Sequence, residues 1–219
     1  MQQQTLEQKR AALLAAGVRM MDPSAVYVED SVTVGKDTLL LPGTILRGNT
    51  VIGEGCEIGP NTMITDCTVG DGAVINSSQC NESVIEAGAH VGPFAYIRPN
   101  CRVGRDVKVG DFVELKNATV GRGTKISHLT YVGDCDVGEE CNFGCGTVLV
   151  NYDGKKKYRS TIGNHCFIGC NTNLVSPVKL GDWSYTAAGS TITEDVPEGT
   201  LAIARARQIN KKEWKDRRK

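Results

Sequence analysis

The decapeptide KISHLTYVGD, residues 125–134, brings an imidazole and a phenol within three positions of each other. Neutral histidine can remove a proton near pH 7, so His128 is a candidate general base. Tyr131 carries a hydroxyl that can bind a polar or anionic substrate. A lone surface histidine most often has no role, so this assignment depends on which residues the fold places beside it.

Two cations, Arg98 and Lys116, are separated in the sequence by the length of three hexapeptides. The repeat described below places each directly after an inward-facing residue, so their side chains should stack one coil apart, at about 5 Å. Two cations at that distance repel each other unless an anion or nearby acids neutralise them. Glu114 and Asp111 could neutralise them. The alternative is a bound phosphate, to which arginine offers a fork of donors and lysine a point charge.

A repeat of aliphatic residue and glycine organises the chain. Fourteen dipeptides pair Val, Ile, Leu or Phe with Gly between Val34 and Leu180, and eight of the thirteen spacings are multiples of six. This period does not suit an α-helix but is typical of a parallel β-helix, with three hexapeptides per triangular coil and glycine in the turn geometry that a Cβ resists. Residues 26–193 then form about nine coils, about 43 Å long. The low aromatic content, 5%, suits so narrow an interior.

Both ends of the chain differ from the repeat. Residues 5–16 predict a helix that Gly17 can end, so we expect a helix and linker over 1–25, a β-helix over 26–193 and a tail over 194–219. Residues 205–219 hold eight Lys or Arg and two acids. The tail is either a solvated basic segment or an anion-binding arm. The polar stretch NYDGKKKYRS, residues 151–160, should leave its coil as a loop that carries three lysines.

Composition excludes several function classes. Twenty-five basic residues balance twenty-five acids, so no global field recruits nucleic acid or an anionic membrane. The sequence has neither a secretory leader nor an apolar run of about 20 residues, which predicts a cytoplasmic protein without membrane or nucleic-acid partners. The nine cysteines form no CxxC pair and are interpreted mainly as small buried hydrophobic residues.

Five motifs carry a family resemblance: FAYIRPN, GDFVELKNATVGRGTKISHLTYVGD, CNFGCGTVLVNYDGKKKY, AAGSTIT and LAIARARQ. They resemble the acetyltransferase half of the bifunctional bacterial family of N-acetylglucosamine-1-phosphate uridyltransferases and glucosamine-1-phosphate acetyltransferases. The resemblance covers essentially the whole chain and is specific from about residue 92 to 207. It implies an all-β fold, a left-handed parallel β-helix (hexapeptide-repeat solenoid), in a homotrimer with active sites between neighbouring prisms.

The resemblance also implies a reaction, transfer of the acetyl group of acetyl-CoA to the amine of glucosamine 1-phosphate, and a set of site residues. His128 matches the family's base. The positions that match its sugar-phosphate ligands are Arg98, Lys116, Tyr131, Asn142 and Lys157. The positions that match the acetyl-CoA side, with the substrate junction, are Cys145, Asn151, Tyr152, Cys170, Ala188 and Arg205. The family usually has Ala at 145 and Ser at 170, and acetyl transfer in it requires no metal.

The same residues are compatible with another mechanism and with other functions. Cys145 could carry the acetyl group as a covalent intermediate instead of a direct transfer. A γ-type carbonic anhydrase would need three histidine ligands, and His90, His128 and His165 include no close pair in the sequence. The chain could also be a non-catalytic scaffold or acetylate another amino-sugar phosphate or nucleotide sugar. Uridyltransferase activity is not expected, because no Gly-rich nucleotide loop of the GxGTRM kind is present.

Overall fold

The chain folds as a β-helix with three faces, and the computed structural model describes residues 5–212. Short strands stack in parallel, coil upon coil, with one strand of each coil on each face. The predicted fold class, a left-handed parallel β-helix, is confirmed. Within residues 5–212 no helix is both long and apolar enough to cross a membrane.

The three faces contain the following strands. Face 1 consists of Arg19–Met20, Leu39–Leu40, Glu57–Ile58, Val74–Ile75, His90–Val91, Lys108–Asp111, Lys125–His128, Asn142–Phe143, Phe167–Ile168, Tyr185–Thr186 and Leu201–Ala202. Face 2 consists of Tyr27–Val28, Ile45–Arg47, Met63–Thr65, Gln79–Asn81, Tyr96–Ile97, the first halves of Glu114–Val120 and Tyr131–Val137, Val148–Val150, Asn173–Val175 and Thr191–Ile192. Face 3 consists of Thr33–Val34, Val51–Ile52, Thr68–Val69, Val84–Ile85, Arg102–Val103, the second halves of Glu114–Val120 and Tyr131–Val137, Ser160–Ile162 and Lys179–Leu180.

The aliphatic residue of each repeat points into the prism. Ile58, Ile97, Leu115 and Ile126 are fully buried, and together with their equivalents they form one continuous core. Residues on either side of them face solvent, which is the alternation that a strand with one buried face requires. The sequence therefore identified the inward positions correctly.

At most of the fourteen positions the glycine after the aliphatic residue is needed for a different reason from the one predicted; only Gly59 and Gly92 have the positive φ of the predicted turn. At Gly110 an added Cβ would collide with the carbonyl oxygen of Ser127 on the next coil. No positive φ occurs at Gly110; the left-handed conformation falls on other residues at the corners, among them Asn117 and Asp134. The repeat glycine thus permits close approach of two coils, whereas Asp and Asn tolerate the turn.

Most cysteines are buried, as predicted, but they also donate hydrogen bonds. Seven of the nine are buried, and Cys145 and Cys170 are not. Cys141 lies at a corner position that Thr124 occupies one coil earlier, and its thiol donates to the carbonyl of Gly163 over 3.0 Å. Burial raises the pKa of the Cys67 thiol to about 11, so this thiol stays protonated at neutral pH.

The paired region is longer than the predicted 26–193. Strands begin at Arg19 and end at Ala202, although neither end segment carries the aliphatic–glycine signature. Eleven strands on face 1 span ten intervals, about 48 Å rather than about 43 Å. The coils also differ in length: His90 pairs with Val74 on one side and with Lys108 on the other. These unequal coils explain the spacings that are not multiples of six.

The ends are built as follows. The predicted N-terminal helix spans Leu6–Ala15, begins with a capping box of Thr5 and Gln8, and buries Leu13. A short 3₁₀ helix, Pro23–Ala25, leads into face 2. Residues 205–212 of the basic tail are exposed, and residues 213–219, also assigned to the tail, lie outside the described residues.

Replacing Ile58 with Ala should lower the free energy of unfolding by about 2–5 kcal/mol, because it leaves a cavity in a core without spare space. The neighbouring exposed substitution Glu57→Ala is the matched control and should change that free energy by less than about 0.5 kcal/mol. Urea denaturation followed by circular dichroism measures both. Equal effects of the two substitutions would contradict the assignment of inward and outward positions.

Candidate active site

His128 and Asp111 form a hydrogen-bonded pair at the corner where face 1 meets face 2, here called corner 1/2. The two residues are in register on adjacent strands, and Nδ1 of His128 lies 2.6 Å from Oδ1 of Asp111. Since a carboxylate only accepts, Nδ1 carries the proton and Nε2 keeps a lone pair. The hydrogen bond from His128 lowers the pKa of the Asp111 carboxyl, which keeps it charged at neutral pH. The histidine side chain is 59% exposed and accessible to a substrate.

Arg98 and Lys116 stack as predicted at the opposite edge of face 2, corner 2/3, because Ile97 pairs with Leu115. Each cation has an acidic partner. Arg98 donates to Glu114 over 2.8 Å, and Nζ of Lys116 lies 3.3 Å from each oxygen of Asp134. Of the two acids that the sequence offered as partners for these cations, Glu114 does contact Arg98. Asp111 does not contact either cation; its carboxylate contacts His128 at the other edge of face 2.

Asp134 organises corner 2/3 and was missed by sequence reasoning. Its buried carboxylate accepts from Nδ2 of Asn117 at 2.6 Å and from Nδ2 of Asn151 at 2.5 Å, in addition to Lys116. Burial by itself raises the pKa of the Asp134 carboxyl, but these hydrogen bonds outweigh burial and the pKa lies below its usual value. The only sequence signal was an acid in the turn after Gly133, a position that many corner aspartates share.

The phenol of Tyr131 lies over the backbone at Gly133, next to Asn151. A Cβ at position 133 would collide with the Tyr131 hydroxyl, so Gly133 makes room for the phenol. Nδ2 of Asn151 donates to that hydroxyl over 3.4 Å. As predicted, Tyr131 precedes the buried Val132 and faces outward, beside the cations rather than beside His128.

The loop after Val150 leaves its coil as predicted and is anchored at its far end. Arg159 donates to both carboxylate oxygens of Asp136 and, over 2.8 Å, to the backbone carbonyl of Asn117. Tyr152 and Lys157 form an antiparallel bridge that closes the loop. Both residues are exposed beside corner 2/3, as are Lys155 and Lys156 of the same loop.

Four of the residues predicted for the acetyl-CoA side, Cys145, Cys170, Ala188 and Arg205, lie along corner 1/2. Asn151 and Tyr152, predicted for the junction of the two substrates, lie at corner 2/3 and in the loop beside it. The pairing of Ile126 with Phe143 and of Phe143 with Ile168 places His128, Cys145 and Cys170 on successive coils. The amide of Gly189 donates to the carbonyl of Cys170 over 2.8 Å, so Ala188 follows on the next coil. The Arg205 side chain lies beside Gly189. Asn142 lies nearby on face 1, half-buried, in register with Phe167.

The candidate site is an open surface across face 2. His128, Cys145, Cys170 and Ala188 lie on one edge. Arg98, Lys116, Tyr131 and Asn151 lie on or near the other. Two cavities, of about 340 and 480 Å³, occur near the two ends of the prism, and neither is lined by any predicted site residue. Face 2 of one prism is therefore an open surface rather than an enclosed pocket.

The three histidines of the carbonic anhydrase alternative do not meet within the chain. His90 donates to the carbonyl of Gly88, His128 pairs with Asp111, and His165 stacks on Trp183. That alternative gains no support from the arrangement of residues 5–212.

Replacing Asp134 with Asn should lower the free energy of unfolding by about 1–3 kcal/mol at pH 7, because the largely buried Lys116 loses its carboxylate. A lowered carboxyl pKa stabilises the fold above the unfolded value, about 3.9, and that contribution is lost as the pH falls through the folded value. The difference between wild type and variant should therefore shrink below about pH 4. Urea titrations at pH 7, 4 and 3 measure it, and a difference independent of pH would contradict this role.

Comparison with known proteins identifies the repeat. The bacterial transferase hexapeptide model (six repeats) matches residues 31–66, 82–117 and 159–194. Bifunctional protein GlmU of Clostridium kluyveri is 56% identical over 198 residues, covering 90% of this chain and 43% of the relative. The same protein of Clostridium botulinum is 53% identical over 202 residues, covering 92% and 44%. The chain thus spans less than half the length of these curated relatives.

A solved structure agrees on the fold. The Arabidopsis UDP-N-acetylglucosamine acyltransferase matches with a TM-score of 0.52 at 13% identity, covering 86% of this chain and 70% of that one. At this identity the likeness concerns the fold alone. The repeat matches and the GlmU relatives place this chain in the family of bacterial hexapeptide-repeat transferases.

Proposed function

We propose that the chain transfers the acetyl group of acetyl-CoA to the amine of glucosamine 1-phosphate and releases N-acetylglucosamine 1-phosphate, a precursor of UDP-N-acetylglucosamine. The observation that carries the proposal is the Asp111–His128 pair, in which the carboxylate occupies Nδ1 of the imidazole and leaves Nε2 available beside the predicted acetyl-CoA positions of corner 1/2. The opposite edge of the same face carries the stacked cations that suit a phosphate. The similarity to GlmU supports the same reaction.

The chemistry begins with a proton. A sugar ammonium has no lone pair, so Nε2 of His128 takes its proton before or during attack. The amine nitrogen then bonds to the carbonyl carbon of the acetyl thioester and the carbon–sulfur bond breaks. The nitrogen gives up its second proton, and the leaving thiolate of CoA takes up this proton, so that an amide and a free thiol are formed. Backbone N–H groups near Cys145 stabilise the oxyanion. The Asp111 carboxylate holds the reactive tautomer and stabilises the imidazolium that forms.

The phosphate is bound at corner 2/3. Arg98 uses one terminal nitrogen for Glu114 and keeps further donors for a ligand, and Lys116 is held in place by Asp134. Tyr131 and the loop lysine Lys157 complete the anion site. The acids prevent the empty site from repelling its own cations, so the donors are pre-organised before substrate arrives.

The proposal includes a homotrimer with sites between prisms. Phe94, Phe112 and Leu129 form an exposed apolar ridge along corner 1/2, each 56–60% exposed, and the two rings stack at 5.5 Å. Phe112 and Leu129 directly follow Asp111 and His128. A second copy that covers this ridge would enclose the base from the side that one prism leaves open. We also propose a cytoplasmic location, where both substrates would be available, and acetyl transfer without a metal.

Direct transfer has one rival. Cys145 lies one coil beyond His128 and is half-buried, so an acetyl-cysteine intermediate is sterically accessible. The two mechanisms differ in steady-state kinetics with both substrates varied: direct transfer gives intersecting reciprocal lines, and the intermediate gives parallel ones.

The acetyltransferase proposal predicts thiol release from acetyl-CoA in the presence of glucosamine 1-phosphate, assayed against galactosamine 1-phosphate and unphosphorylated glucosamine. His128→Ala should reduce turnover by about 10²–10⁴-fold, because the base is lost. His90→Ala is the matched control, since its ring donates only to the Gly88 carbonyl on the same face. Normal turnover in folded His128→Ala would refute the role of the base, and no release with any amino sugar would favour a scaffold.

Asp111→Asn should reduce turnover by at least about tenfold, because an amide can also donate to Nδ1 and no longer holds the imidazole in the tautomer whose lone pair is on Nε2. Asp106→Asn, at an exposed corner of the same coil, is the matched control and should leave turnover unchanged. The thiol-release assay measures both variants, with circular dichroism to show that each is folded. Equal turnover in the two variants would contradict the positioning role of Asp111.

A further inference from the structure

Two accessible thiols occupy equivalent positions on adjacent coils of corner 1/2. Asn142 pairs with Phe167 and Phe143 with Ile168, and the next coil's Asn171 donates its amide to the carbonyl of Cys145 over 2.8 Å. Cys145 and Cys170 are therefore direct neighbours across the coil interval of about 4.8 Å. That separation lies within the range of about 4.4–6.8 Å that the Cα atoms of a disulfide span.

Side chains at this corner position lie side by side. Asp111 and His128 hold the same position on the two preceding coils, because Val109 pairs with Ile126 and Ile126 with Phe143. Their side chains meet at 2.6 Å. Cys145 and Cys170 continue this column, so their sulfur atoms leave the backbone on the same side and can approach each other.

Accessibility separates this pair from every other cysteine of the chain. Cys170 is exposed and Cys145 half-buried, whereas the remaining seven are buried. Cys141 and Cys166 are also neighbours one coil apart, yet each is only 1% exposed. A reagent in solution therefore reaches the first pair and not the second, which makes the second an internal control.

We propose that Cys145 and Cys170 form a modification site, a dithiol that a small oxidising disulfide converts into an intramolecular bond that closes the acetyl-CoA surface. One thiolate attacks the reagent and releases one small thiol. The second cysteine then attacks the mixed disulfide, forms the Cys145–Cys170 bond and releases the other small thiol. The two cysteine sulfurs are oxidised and the two reagent sulfurs reduced, and the two thiol protons pass to the released thiols.

The bond would change the surface of corner 1/2 where the proposed reaction binds acetyl-CoA. The expected loss of acetyl-CoA binding and acetyl transfer therefore rests on the proposed function. The backbone at the two cysteines is held tightly, because a Cβ on Gly144 would collide with the amide of Cys170. The two coils cannot move apart here, so the bond has to form by rotation of the two cysteine side chains toward each other. Cys145 also adjoins His128. The oxidised pair would thus occupy the line that acetyl-CoA follows between the base and Ala188.

The experiment treats the reduced full chain with oxidised glutathione, alkylates free thiols and maps peptides by mass spectrometry. We expect a Cys145–Cys170 bond in protein that runs as a monomer on a non-reducing gel, with Cys141 and Cys166 alkylated after denaturation. A bond between two chains, a persistent glutathione adduct or no bond would overturn the dithiol.

The functional arm compares each protein with its own reduced form. Oxidation should weaken acetyl-CoA binding, measured by calorimetry, and acetyl transfer by at least about tenfold, and dithiothreitol should restore both. In Cys145→Ser and Cys170→Ser the ratio of reduced to oxidised activity should stay close to one. A bond without any loss of binding or activity would overturn the closure of the surface. If the reduced protein shows no acetyl transfer at all, the proposed function fails, whereas the bond and its effect on binding are still measured.

Discussion

The stacking interval between coils determines the rest of this molecule. Backbone hydrogen bonds hold each strand to its equivalent on the next coil, and the repeat glycines allow the two backbones to approach so closely that Gly110 has no space for a Cβ. Residues separated by one coil in the sequence thereby become direct neighbours. Columns of similar environment form along each face and corner, and every functional contact described above is a contact within such a column or between two adjacent ones.

This arrangement gives the two edges of face 2 different electrostatic characters. At corner 1/2 an imidazole has a carboxylate directly beneath it, and the hydrogen bond between them orients the ring. At corner 2/3 each of the two stacked cations has an acid of its own from the next coil, Glu114 for Arg98 and Asp134 for Lys116. The acids differ in burial, and buried Asp134 is the one that also gathers two amides.

The sequence was informative where the chain repeats and uninformative where it departs from strict repetition. The inward aliphatic residues, the β-helix and the stacking of Arg98 on Lys116 all follow from the hexapeptide period. Asp111 pairs with His128 because their coil falls one residue short of three full hexapeptides; a strict repeat pairs Asp111 with Leu129. Asp134 shares its turn conformation with other corner aspartates, and only the packing around it identifies it. The end strands, Arg19–Met20 and Leu201–Ala202, carry no repeat signal and form because the last exposed strand edges accept them.

The anchored loop after Val150 has a consequence for how such a protein can acquire new chemistry. The coil that contains it is longer than its neighbours, yet Asn142 and Phe167, which lie on either side of the insertion, pair in the same register as the strands around them. Because the backbone of each coil pairs only with the coils next to it, the insertion at this corner leaves the register of the stack unchanged. The scaffold is therefore modular in a strict sense. Arg159 and Asp136 hold the loop where it rejoins the stack, so the exposed side chains of the loop beside the stacked cations can change while the core stays as it is.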